Sequence, residues 1–171
     1  RAGENQYDEN ALGRLIAAQC AFKASIVAGD ERESLAREDV RSRRVLNFGH
    51  TVGHALEAVT SYRRFRHGEA VGYGVLAAGE ISKRLGLLDT SELESLREAV
   101  RLAGRLPRAD DLDVDEIIAA LARDKKSLGG QVRWVLLERV GRAKLVDGRH
   151  VTRPTLRASL RAVLQGPRAT P

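Results

Sequence analysis

The apolar residues of this chain recur every three or four positions through most of its length, and that spacing most constrains what it can fold into. Such a repeat lays a stripe along one side of a helix. Residues 8–28 show it in Leu12, Leu15, Ile16, Phe22, Ile26 and Val27, with Asp8 or Asn10 to cap the start and Gly29 to end it. Further helices are predicted from about Leu46 to Thr60, from near Gly68 to before Gly86, from TSELESL to near Gly104, from Asp113 to near Lys126, and over 153–165. Ser91 and Glu94 have the spacing of a capping box for the fourth of them. Residues 30–44 are charged, lack a stripe and read as a loop or a ragged helical turn. The pattern changes in QVRWVLLE (131–138) and AKLVDG (143–148), which are short and β-branched around Gly141 and predict a small hairpin with Trp134 in its core. No GxGxxG, no GxxxxGK(S/T) and no alternation of strand with helix marks a nucleotide-binding domain here. The expected fold is mainly α-helical, with residues 1–171 as one domain carrying a small β-hairpin.

Composition narrows the function classes. With 43% apolar and 30% charged residues over 171 positions, the chain has the balance of a soluble globular domain with a sizeable core. No apolar run approaches the roughly 20 residues of a spanning helix. The opening RAGENQYDEN lacks the apolar centre of a signal peptide, so no membrane partner and a cytoplasmic location are expected. There is no methionine, so the chain is expected to be a segment of a longer protein. Cys20 is the single cysteine. It excludes an intrachain disulfide and reads as a small core residue. The net charge of +6 comes from dispersed arginines with few aromatics between them, a pattern that speaks against a nucleic-acid partner. Arg63, Arg64, Arg66 and His150 read as solvated surface.

Three of the four histidines fall within NFGHTVGHALEAVTSYRRFRHGEAV, residues 47–71. His50 and His54 are four apart, which on a helix stacks their rings one turn above the other. His67 lies at the expected start of the next helix, and a short antiparallel connection returns it to the first. Imidazoles held this way by packed helices resemble a metal site. Glu57 or Glu69 could supply a third ligand from within the chain. Gly49, Gly53, Gly68, Gly72 and Gly74 lie in the same two segments, although glycine inside a helix costs about 1 kcal/mol relative to alanine. That conflict points to close packing or to backbone approached by a ligand.

RVLNFGHTVGHALE followed by HGEAVGYG resembles the signature of the 3-dehydroquinate synthases, in their mostly helical C-terminal domain. FKASIVAGDERE (22–33) resembles the segment ahead of that signature, and DKKSLGGQVRWVLLERVGRA (124–143) the lysine pair and hairpin behind it. The resemblance covers most of residues 8–148. It implies an NAD- and metal-dependent lyase of the shikimate pathway. That enzyme converts 3-deoxy-D-arabino-heptulosonate 7-phosphate to 3-dehydroquinate and phosphate, using NAD and zinc (or cobalt), and is expected to be a homodimer at full length. It further implies that His50 and His67 are metal ligands and His54 a proton-transfer group, with Glu33 as a proton acceptor. Lys23, Arg43, Asn47 and Lys126 would bind substrate, with Lys125 as the alternative to Lys126 and Arg37 as a rival to Arg43. The family's third metal ligand, a glutamate, and its NAD-binding domain have no counterpart here and would precede Arg1. Two relatives of the same class compete with this reading. One is another sugar-phosphate cyclase. The other is a metal-dependent alcohol dehydrogenase, against which HGEAV and the DKK hairpin argue. A non-enzymatic helical module binding nucleic acid is the reading from a different class.

Overall fold

The structure is a computed structural model that describes residues 9–33, 39, 41–127 and 133–165, with the backbone alone at 9 and 124–127. Its elements run α1 (Glu9–Gly29), a 3-10 turn (Arg43–Asn47), α2 (His50–Val59), α3 (His67–Arg84), α4 (Thr90–Ala103), α5 (Val114–Ser127), β1 (Arg133–Arg139), β2 (Arg142–Asp147) and α6 (Arg153–Leu164). The expected mainly helical fold with one hairpin is what forms. The antiparallel pair α2–α3 is its centre. Helix α5 packs on α2, while α4, α6 and β1 pack on α3. Leu56, Ile81, Leu93, Ile117, Leu136 and Leu160 are fully buried between these elements. Burying a leucine or isoleucine side chain contributes about 1.5–3 kcal/mol, so this stripe-to-stripe packing holds the helices together.

Glycines set how closely α2 and α3 approach. A Cβ on Gly74 would collide with the Gly49 carbonyl oxygen, and one on Gly53 would lie 3.2 Å from the Val71 Cα. The two backbones touch where side chains would otherwise hold them apart. Gly49 is also the N-cap of α2, at φ 83°, the left-handed region that favours glycine. The helix therefore starts at His50, and the residues before it form the 3-10 turn rather than the first turn of a helix from Leu46.

The hairpin is antiparallel, with Trp134 opposite Val146 and an irregularity at Leu137/Arg139. Trp134 is buried, as its core placement in the sequence suggested. The strand is tied to α3 by Ser82, whose Oγ donates to the Ala78 carbonyl at 2.7 Å and accepts from the Leu137 N–H at 3.0 Å. Helix α6 begins with Thr152, whose hydroxyl accepts from the Thr155 N–H at 3.3 Å, and with proline in its first turn.

Four local readings need correction. The cap of α4 is Asp89, which accepts from the Glu92 N–H at 2.8 Å and from the Ser91 hydroxyl at 2.8 Å. A carboxylate at N-cap outcompetes the hydroxyl two residues on. Arg64 is not simply solvated surface: it is half-buried, forms a bidentate pair with Asp111 at 2.8 and 2.6 Å and reaches the Arg108 carbonyl at 2.6 Å. Cys20 is exposed rather than a core residue. So are Leu12, Leu15, Ile16 and Phe22, because α1 runs apart from the helical core and meets mainly the 3-10 turn. Finally, Asn10–Gly29 has a mean hydropathy of 1.3 and, by length and composition alone, is long enough to cross a membrane. Its alanines raise the average although Arg14 and Lys23 interrupt any continuous run. A single helix of this kind assigns no membrane.

Candidate metal and substrate site

The hairpin of α2 and α3 gathers three imidazoles. His50 is the first residue of α2, His54 follows one turn on, and His67 opens α3. Their ring centres are 5.5 Å apart for His50 and His54, 5.3 Å for His50 and His67, and 5.9 Å for His54 and His67. Two imidazoles on one tetrahedral ion, each bonded at about 2.0–2.1 Å, have centres roughly 5 Å apart, so the cluster can share a cation.

The surroundings of the three rings differ. His50 Nδ1 lies 3.4 Å from the Phe48 carbonyl oxygen, and His67 Nδ1 lies 3.1 Å from Glu57 Oε1. Carbonyls and carboxylates only accept, so in both rings Nδ1 is the donor, and the neutral form of each ring has its lone pair on Nε2. His54 has no such partner among the described residues. Burial holds the His50 imidazole below its ordinary value; His54 and His67 act the same way, while the Phe48 carbonyl and Glu57 oppose them. That keeps the ring neutral, which a metal ligand requires. Of the two carboxylates considered as a third ligand, Glu69 is committed elsewhere: it accepts from the Arg66 N–H at 2.7 Å and closes the first turn of α3. Glu57 remains, buried, with ligand atoms of His54, Glu57 and His67 within 4.8 Å of one another.

A cleft of about 310 Å³ opens beside His50 and is lined by Lys23, Glu33, Arg43, Leu46 and Asn47. Four residues singled out in the sequence thus converge from α1, the following turn and the 3-10 turn on the first histidine. Asp30 makes this possible. It is buried, its Oδ2 accepts from the Arg43 N–H at 2.9 Å, and Ser42 beside it is fully buried as the cap of the 3-10 turn. The Arg43 guanidinium donates to the Glu31 carbonyl at 3.2 Å. Glu33 stands at φ 48°, a left-handed position in the turn. Asp30 was missed in the sequence, where it looked like loop charge; its burial is the only signal. A second hollow of about 490 Å³ is lined by His54 together with Thr51, Glu57, Tyr62 and Arg123 among others. Lys125 and Lys126 are in the last turn of α5 with side chains outside the described residues, where Arg37 also lies.

The family described as 3-dehydroquinate synthase C-terminal matches residues 2–127. The chain belongs to that family. Among curated relatives, the 3-dehydroquinate synthase of Corynebacterium jeikeium is 39% identical over 137 residues, 80% of this chain but 35% of the relative. The chain therefore spans about a third of the length of that synthase. Two solved structures share the fold. The 2-epi-5-epi-valiolone synthase of Streptomyces hygroscopicus with NAD+ and Zn2+ bound superposes with a TM-score of 0.67 at 23% identity, covering 92% of this chain and 41% of its own. A 2-deoxy-scyllo-inosose synthase complexed with carbaglucose-6-phosphate, NAD+ and Co2+ superposes with a TM-score of 0.59 at 23% identity, covering 71% of this chain and 34% of its own. The family match includes both clefts and the whole histidine hairpin; β1, β2 and α6 lie beyond it.

Proposed function

We propose that this chain is the metal- and substrate-binding part of a 3-dehydroquinate synthase, a lyase that converts 3-deoxy-D-arabino-heptulosonate 7-phosphate to 3-dehydroquinate and phosphate. In this reading residues 1–171 form one helical domain of a longer, cytoplasmic, dimeric enzyme, and NAD is held by residues outside it. The observation that carries the reading is the convergence of Lys23, Glu33, Arg43 and Asn47 on the His50 cleft. Cations for carboxylate and phosphate, an amide for hydroxyls and a carboxylate for a proton are what an anionic polyol demands.

His50 and His67 would hold a divalent ion, zinc or cobalt, through Nε2, since both have Nδ1 tied to an acceptor. Such an ion supplies Lewis-acid polarisation of a bound oxygen, and NAD supplies a hydride acceptor. Lys23 and Arg43 fix the anionic ends of the substrate, and Lys126 adds a third cation from α5. Asn47, one turn before His50, orients hydroxyls beside it. His54, with both ring nitrogens unengaged among the described residues, takes and returns a proton. Glu33, in the His50 cleft with Lys23 and Arg43, accepts a proton from a second position.

The test is turnover by the intact enzyme containing this chain, read as release of inorganic phosphate from the heptulosonate phosphate and from other sugar phosphates. Release from the heptulosonate phosphate alone is expected. Arg43→Ala should lower kcat/KM about tenfold or more, because a charge-assisted contact contributes about 1.5–3 kcal/mol. Release only from a different sugar phosphate would assign the chain to another cyclase.

A further inference from the structure

We infer that Glu57 is a positioning residue: its carboxylate locks His67 as the Nδ1–H tautomer and so presents Nε2 to the metal. This rests on the reading of His67 as a ligand, and the geometry adds three observations. Glu57 is 8% exposed although it follows His50 and His54 at helical spacing on α2, whereas His67 is exposed at the start of α3. A carboxylate taken out of water needs a donor or a cation, and the His67 Nδ1–H at 3.1 Å is the partner it has among the described residues. Glu57 lies two turns beyond His50 on the same helix. One rigid element therefore places the first ligand directly and orients the second through a hydrogen bond. His50 receives the same treatment from the Phe48 carbonyl. Each ligand then has one nitrogen committed to an acceptor, which is how metal-binding histidines are generally held.

The competing role is direct ligation. Glu57 Oε1, His54 and His67 are close enough to surround an ion. In that arrangement the carboxylate oxygen would face the ion and not Nδ1. A glutamine at position 57 separates the two roles. Its amide oxygen can still accept from Nδ1–H, but it is a poor ligand.

The experiment uses the full 171-residue chain with zinc alone as the probe. Two-bond proton–nitrogen NMR spectra of the metal-free chain should show His67 as the Nδ1–H tautomer, and as a mixture in Glu57→Ala. Competition with a chromophoric chelator should show zinc affinity lowered about 10–100-fold in Glu57→Ala, with Glu57→Gln between that variant and the parent. Far-UV circular dichroism identifies any variant that fails to fold, and the near-isosteric Glu57→Gln keeps the test alive if Glu57→Ala does. An Nε2–H tautomer in the parent chain overturns the inference. Equal losses in Glu57→Gln and Glu57→Ala overturn it too, in favour of direct ligation. Unchanged zinc affinity in His67→Ala refutes ligation by His67 itself. Unchanged affinity in Glu57→Ala alone refutes the positioning role and leaves ligation standing.

Discussion

His50 and His54 sit one turn apart on the same helix, and their surroundings give them different chemistry. The first has Nδ1 against a carbonyl and lines the cleft shared with Lys23 and Arg43; the second lines a separate hollow and has no hydrogen-bond partner among the described residues. In the intact enzyme, His50→Ala is expected to lose metal and activity together. His54→Ala should keep its metal and lose about 10²–10⁴-fold in kcat, the usual worth of acid–base help. Metal analysis beside turnover decides it: metal lost from His54→Ala but retained in His50→Ala would reverse the assignment. At this scale the histidine cluster was legible, because a four-residue spacing on a helix is local geometry. Asp30 was not. A carboxylate that braces a 3-10 turn looks no different in sequence from one facing water, and only burial distinguishes them.

Between elements, short tethers orient the helices. Arg64, in the α2–α3 connection, grips Asp111, ahead of α5. The hydrogen bonds from Arg64 hold the Asp111 carboxyl well down, from 3.8 to about 2, and backbone donation and nearby Arg108 add to this. A folded-state value below the unfolded one stabilises the fold above the unfolded value and ceases to do so as pH falls through the folded value. Thermal melts of the parent and Asp111→Asn should therefore differ at about pH 5 and converge toward pH 2. A gap that persists unchanged at pH 2 would mean that the pair does not set the difference. The elements themselves were legible to within a few residues. Their caps were read less well: Asp89 rather than Ser91 starts α4, and Gly49 shortens α2, because both depend on the path of the chain into the helix.

Across the whole molecule, α1 stands apart. Leu15 and Ile16 are 56% and 54% exposed, although periodicity alone marks them as core. Leu15→Ser is therefore expected to change the unfolding free energy of this chain by less than about 0.5 kcal/mol, whereas a truly buried leucine would cost several times more. Urea titration measures this, and a large loss would reveal a covering surface for α1. The residues by themselves determined the helical class, the hairpin, the histidine cluster and the family resemblance, because periodicity, turn chemistry and motif spacing are local properties of the chain. Only the tertiary structure decided which stripes are buried, that Gly49 and Gly74 let α2 and α3 touch, and that Lys23 and Arg43, twenty residues apart, share a cleft with His50. It also decided that Glu57 turns toward His67 while Glu69 closes its own helix. Those outcomes depend on which surfaces meet when helices pack, and residues far apart in sequence settle that together.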